Sequence, residues 1–116
     1  MSVSIELKGA GPVLERLKKL SDTSGIQKVV AMNGAELQQR AQRKAPVATG
    51  QLRRSIQLDI TDNGMTAVVS ANTEYAAYVE YGTRFMGAQP YLRPALHEQA
   101  EQFKNDLERF AKGKGV

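Results

Sequence analysis

The chain has no cysteine, a single histidine (His97), and no apolar run near the roughly 20 residues that a membrane-spanning helix requires. Disulfides, thiol nucleophiles and iron–sulfur clusters are therefore excluded, and a zinc site, which draws on Cys and His, has almost no donors. A reducing place of synthesis fits this composition. The opening MSVSIELKG carries neither the charged start nor the apolar stretch of a signal peptide, so no export is expected. Acid is missing over one interval as well: between Glu36 and Asp59 there is no Asp or Glu, while Arg40, Arg43, Lys44, Arg53 and Arg54 fall inside it. On a chain of net charge +4 this basic patch predicts a face turned toward DNA phosphates or an acidic protein ring, against the plainer reading of a solvated basic face.

The usual catalytic constellations are missing too. No glycine-rich phosphate cradle ends in lysine, and no serine sits on a strand elbow. Glu74 and Glu80 are six positions apart and would lie on different faces of a helix, so both read as surface carboxylates. His97 falls off the apolar stripe of its segment, with only Glu98 and Glu101 as nearby ligand candidates, and reads as an ordinary helix residue. No catalytic residue, metal or cofactor is expected.

With 116 residues and 41% hydrophobic content, the chain is expected to form one domain over 1–116 around a small core. Val3, Ile5 and Leu7 alternate with polar residues as in a strand, which Gly9, Gly11 and Pro12 end. Val13, Leu14, Leu17 and Leu20 recur at helical spacing and predict a short helix from Pro12 to about Leu20. After the polar break from Ser21 to Gly25, Ile26, Val29, Val30, Leu37 and Ala41 mark a second helix, which Pro46 ends near Lys44. Thr49, Gly50 and Leu52 to Ile56 fit either one helical turn or direct entry into a strand.

Ile56, Leu58 and Ile60 alternate, and Asn63-Gly64 supplies the positive φ angles of a tight turn before Met65 to Ser70, so a β-hairpin is expected over about 56–70. A final helix from Pro90 or Tyr91 to Ala111 follows from the stripe Leu92, Leu96, Ala100, Phe103, Leu107 and Phe110, with a mobile tail from about 112. The order β-α-α-β-β-loop-α is α+β: a small antiparallel sheet packed on one face by two or three helices, the longest C-terminal.

Residues 75–94, YAAYVEYGTRFMGAQPYLRP, crowd tyrosine, arginine, glycine and proline into a shaped loop that leads into a helix start. Tyr75, Tyr78 and Tyr81 recur every third position and fit either core packing or a contact surface. Phe85 and Met86 favour the contact surface, which we place at Tyr78, Tyr81, Thr83, Arg84, Phe85 and Met86.

Two blocks carry a resemblance. Ala45-Pro46-Val47-Ala48-Thr49-Gly50-Gln51-Leu52-Arg53 with Ser55-Ile56 is the first. The second is Tyr75-Ala76-Ala77-Tyr78-Val79-Glu80-Tyr81-Gly82-Thr83, leading to Pro90-Tyr91-Leu92-Arg93-Pro94-Ala95-Leu96. Together they resemble the head-tail joining or tail-completion minor virion proteins of long-tailed bacteriophages and prophages. The resemblance implies a non-enzymatic neck component, made in the host cytoplasm and placed at the head-tail junction of the virion. It implies ring-like assembly with itself and contact with connector, tail-terminator or tail-tube proteins. The rival reading is a small basic nucleic-acid-binding protein, resting on the basic interval and on tyrosines able to stack on bases.

Overall fold

The computed structural model describes residues 3–8, 23–46 and 50–113, with side chains placed over 3–8, 25–46 and 50–110. Strand β1 spans Val3–Lys8, and helix α1 spans Thr23–Lys44. A single turn, α2 (Gln51–Ser55), feeds directly into β2 (Ile56–Thr61), which returns as β3 (Thr66–Ala71). Two further helices complete the described chain: α3 (Ala76–Tyr81) and α4 (Leu92–Gly113). The helix expected between Pro12 and Leu20 lies outside the described residues, as does the end of the C-terminal tail.

The sheet has the order β1-β3-β2, with both outer strands antiparallel to β3. Val3, Ile5 and Leu7 stand level with Ala71, Val69 and Ala67, and these in turn with Ile56, Leu58 and Ile60. A side-chain period of two therefore collects the apolar residues of all three strands on one face. Helices α1 and α4, 22 residues each, cover that face, α1 lying over β2 and β3 and α4 over β1. The α+β architecture read from the sequence is the one observed.

Local geometry settles the details left open by composition. The choice between helical turn and strand after Gly50 resolves as both in succession: Gly50 takes φ 71°, α2 makes one turn, and Ile56 begins β2. The hairpin forms, but its loop is four residues rather than a two-residue Asn-Gly turn. Asp62, Asn63 and Gly64 all have positive φ (54°, 56° and 87°). Asp62 tolerates that conformation because its carboxylate accepts the Thr66 Oγ1 hydroxyl at 2.6 Å, and Gln27 Nε2 donates to the Asn63 carbonyl at 2.6 Å.

Where α1 meets α4 the contact is polar. Asn33 and Gln99 are fully buried there, Gln99 Nε2 donating to Asn33 Oδ1 at 2.6 Å and to Glu36 Oε2 at 3.0 Å. Arg40 Nε donates to Gln99 Oε1 at 2.7 Å, Asn33 Nδ2 to Asp106 Oδ2 at 3.0 Å, and Gln102 to Glu36. This seam corrects the stripe read from sequence: Ala100 is exposed, and the inward position is Gln99. An alanine in the periodic slot looked apolar enough to face the core, yet the helix turns so that Gln99 meets donors and acceptors on α1.

Gly34 sets how closely α1 approaches the sheet. A Cβ there would sit 2.8 Å from the Ala67 Cβ and 3.0 Å from Leu58 Cδ1, so a mid-helix glycine, costing about 0.5–1 kcal/mol relative to Ala, is retained for proximity. Gly34→Val should lower stability by about 1–3 kcal/mol through overpacking, read as a reduced urea midpoint at unchanged slope.

Candidate functional site

The first four positions at the start of α4 are Tyr91, Leu92, Arg93 and Pro94, and none of them has a capping side chain. Helix starts leave about four N–H groups without intrahelical partners; Pro94 has no N–H, so three remain. One carboxylate accepts all three. Glu80 Oε1 takes Tyr91 N at 2.9 Å and Leu92 N at 2.8 Å, and Oε2 takes Arg93 N at 3.0 Å and Arg93 Nε at 3.3 Å. Glu80 is fully buried, which overturns its reading as a surface carboxylate: a buried charge persists when paired and fully hydrogen-bonded, and here the helix dipole adds to the pairing.

Tyr91 is also fully buried and donates its hydroxyl to the Ala76 carbonyl at 3.1 Å. Burial first, then the charge of Glu80, raises its phenol well above the usual tyrosine range. These two residues fasten both ends of α3 to the beginning of α4, and the chain between the helices is held at its base. Gln89 N donates to the Val79 carbonyl at 2.8 Å, and Gly82 N to the Tyr78 carbonyl at 2.7 Å.

The intervening chain is a closed turn. Thr83 N donates to the Met86 carbonyl at 2.8 Å, and Phe85 N to Thr83 Oγ1 at 3.1 Å. Gly82 makes the closure possible, because at φ 79° a Cβ would sit 2.8 Å from Ala88 N. The shaped loop expected here is thus a compact projection. At its tip Phe85 is 90% exposed, flanked by Met86 at 46%, with Tyr81 at 58% and Tyr78 at 49% on α3. The Arg84 guanidinium lies 5.5 Å from the Phe85 ring centre, and that of Arg93 4.9 Å from the Tyr81 ring centre. Tyr75, half-buried, lies nearer the core, so the three tyrosines divide between packing and surface.

The basic residues do not form one uniform patch. Arg40 and Lys44 reach across to α4 and pair with Glu98, so the fold supplies the acid that their sequence interval lacks. The hydrogen bond from Lys44 and the charges of Lys44 and Arg40 hold the Glu98 carboxyl below its ordinary range. Arg53 Nε donates to the Gln42 carbonyl at 2.9 Å, while Arg43 and Arg54 are exposed. His97 is exposed, and among the described residues no group of His, Cys, Asp or Glu is arranged to hold a metal ion. No helix among the described residues is long and apolar enough to cross a membrane.

Sequence reasoning missed Glu80 and the Asn33–Gln99 pair. The missing local cap at Tyr91 was the available signal for the first, because an uncapped buried helix start must find its acceptor elsewhere. Glu80→Gln keeps the shape but replaces one acceptor oxygen with a donor, and should cost about 2–4 kcal/mol in thermal unfolding. The raised Tyr91 phenol makes stability fall with alkali. Its contribution is intact below the unfolded value of about 10 and is lost as the pH climbs beyond it, a slope that Tyr91→Phe should remove.

Comparison with known families places this arrangement. The model of one family, described as "Bacteriophage HK97-gp10, putative tail-component", matches residues 12–82, from before α1 through the end of α3. No curated protein and no solved structure matches the chain. The matched span covers both halves of the hairpin, the Ala45–Arg53 block and the α3 segment that carries Glu80. The chain belongs to the HK97-gp10-like family of bacteriophage proteins.

Proposed function

We propose that the protein is a structural, non-enzymatic component of the phage virion that completes the tail or joins it to the DNA-filled head, assembling as a ring with itself and with adjoining connector, terminator or tail-tube proteins. Family membership supports a structural tail component in contact with other phage proteins. The observation that carries the assembly role is Phe85, held almost wholly exposed at the tip of a hydrogen-bonded turn whose base is tied to Glu80. A large aromatic in water gains about 1.5–3 kcal/mol when it is buried, and an ordered turn loses little entropy on doing so. Tyr81, Tyr78, Met86, Thr83 and Arg84 surround it with the residue types found at interface centres.

The exposed Arg43 and Arg54 are available to an acidic ring or to DNA in the channel. The nucleic-acid reading is weakened by the pairing of Arg40 and Lys44 with Glu98, which leaves fewer uncompensated cations on that face. Phe85→Asp combined with Tyr81→Ala should leave the circular dichroism spectrum and melting temperature of the isolated chain nearly unchanged. In infected cells the same variant should yield separate heads and tails in place of infectious particles. Normal particles from that variant would overturn the assembly role of the turn.

A further inference from the structure

Two of the four asparagines, Asn33 and Asn63, are each followed by glycine. Both residue types are poor helix formers, yet Asn33 and Gly34 stand together in the middle of α1, a helix of 22 residues. Packing imposes the pair. Asn33 is a buried member of the polar seam, and Gly34 is held to glycine by the approach of Ala67 and Leu58. Asn63-Gly64 is imposed by conformation instead, both residues having positive φ in the hairpin loop.

Asparagine before glycine is chemically labile, because no Cβ shields the glycine nitrogen from the side chain that precedes it. Once that nitrogen loses its proton it attacks the asparagine Cγ; the N–Cγ bond forms, the Nδ2 group leaves as ammonia, and a cyclic succinimide results. Water then opens either carbonyl of the ring, giving aspartate or isoaspartate, with neither oxidant nor reductant required. The ring cannot close unless the asparagine backbone turns. In α1 the Gly34 N–H is committed to the helix ladder, and the Asn33 side chain is gripped at both ends: Nδ2 donates to the Val29 carbonyl and to Asp106 Oδ2, each at 3.0 Å, and Oδ1 accepts Gln99 Nε2 at 2.6 Å. Asn63 is exposed and held more lightly, by Gly64 N donating to the Thr61 carbonyl at 3.1 Å and Gln27 Nε2 donating to the Asn63 carbonyl at 2.6 Å.

We infer that Asn33-Gly34 is a deamidation site that folding closes, and that its conversion in an open chain is a one-way exit from the native state. The reason lies in what surrounds residue 33. An aspartate there has no donor for the Val29 carbonyl or for Asp106, so it sets a buried carboxylate against the Asp106 carboxylate, with that of Glu36 bound to the same Gln99 amide. Isoaspartate adds a methylene to the main chain and interrupts the ladder of α1 at its midpoint. Residue 63 differs, because Asp62 beside it already holds an aspartate at φ 54° in the same loop. The chain thus carries a disabling site under deep protection and a tolerated one under slight protection. Chains that stay folded keep Asn33, and chains that linger open leave the pool able to refold.

Peptide mapping after incubation in mildly alkaline buffer, with and without urea, tests this. In urea Asn33 and Asn63 should convert as fast as synthetic peptides of the same sequence, ahead of Asn72 and Asn105, which precede Thr73 and Asp106. In native buffer only the opened fraction reacts, so Asn33 should slow by about 1,000-fold or more and Asn63 by far less. After removal of urea, chains converted at 33 should stay unfolded, while chains converted only at 63 should refold. N33D should lower the urea midpoint, and its loss should shrink when D106N removes the facing charge, a coupling that a general loss of packing would not show. Native conversion of Asn33 at the peptide rate, no conversion in urea, recovery of the native fold by chains converted at 33, or an equal N33D loss with and without D106N overturns the inference.

Discussion

The buried Glu80 carboxylate is the constraint on which the C-terminal half of the molecule depends. From within α3 it accepts the N–H groups that begin α4 and so ties the two ends of the intervening chain together. The arithmetic of the α4 start makes this possible, since Pro94 removes one orphan donor and leaves three for two carboxylate oxygens. A charge in that position would be costly if unpaired; surrounded by backbone N–H groups and Arg93 it becomes an anchor. Tyr91 seals the same junction from the apolar side.

A second constraint runs along the helix pair. Apolar side chains can slide past one another at little cost, whereas the hydrogen bonds among Asn33, Glu36, Arg40, Gln99 and Gln102 fit in one register. Shifting α4 by one turn would leave buried amides without partners, each costing about 1–3 kcal/mol. The position of the Tyr91 end of α4 relative to the sheet is therefore fixed twice, by Glu80 at its start and by this seam along its length.

Much of the scaffold was legible in the sequence because it rests on local rules. Alternation in Val3–Leu7 and Ile56–Ile60, positive-φ chemistry at Asn63-Gly64, and Pro46 as a stop each act within a few residues. The features that were not legible are pairings at long separation. Glu80 reaches 11 to 13 residues ahead, Gln99 meets Asn33 across 66, and Arg40 meets Glu98 across 58. No periodicity encodes such partners. The exposed turn lies within the compositional oddity at residues 75–94, but its closed shape depended on Gly82 and on hydrogen bonds that the one-dimensional pattern does not contain.

The reciprocal pairing of Thr83 with Met86 has one more effect. A floppy arm samples many reaches and forgives a badly placed socket; this projection has a set length and a set direction. Any surface that accepts Phe85 must therefore present its cavity at a matching height and angle, and a mismatch cannot be absorbed by the arm. In the assembly role proposed for it, the turn is a gauge as well as a plug, because a projection of fixed shape loses affinity for any neighbour whose cavity does not match it.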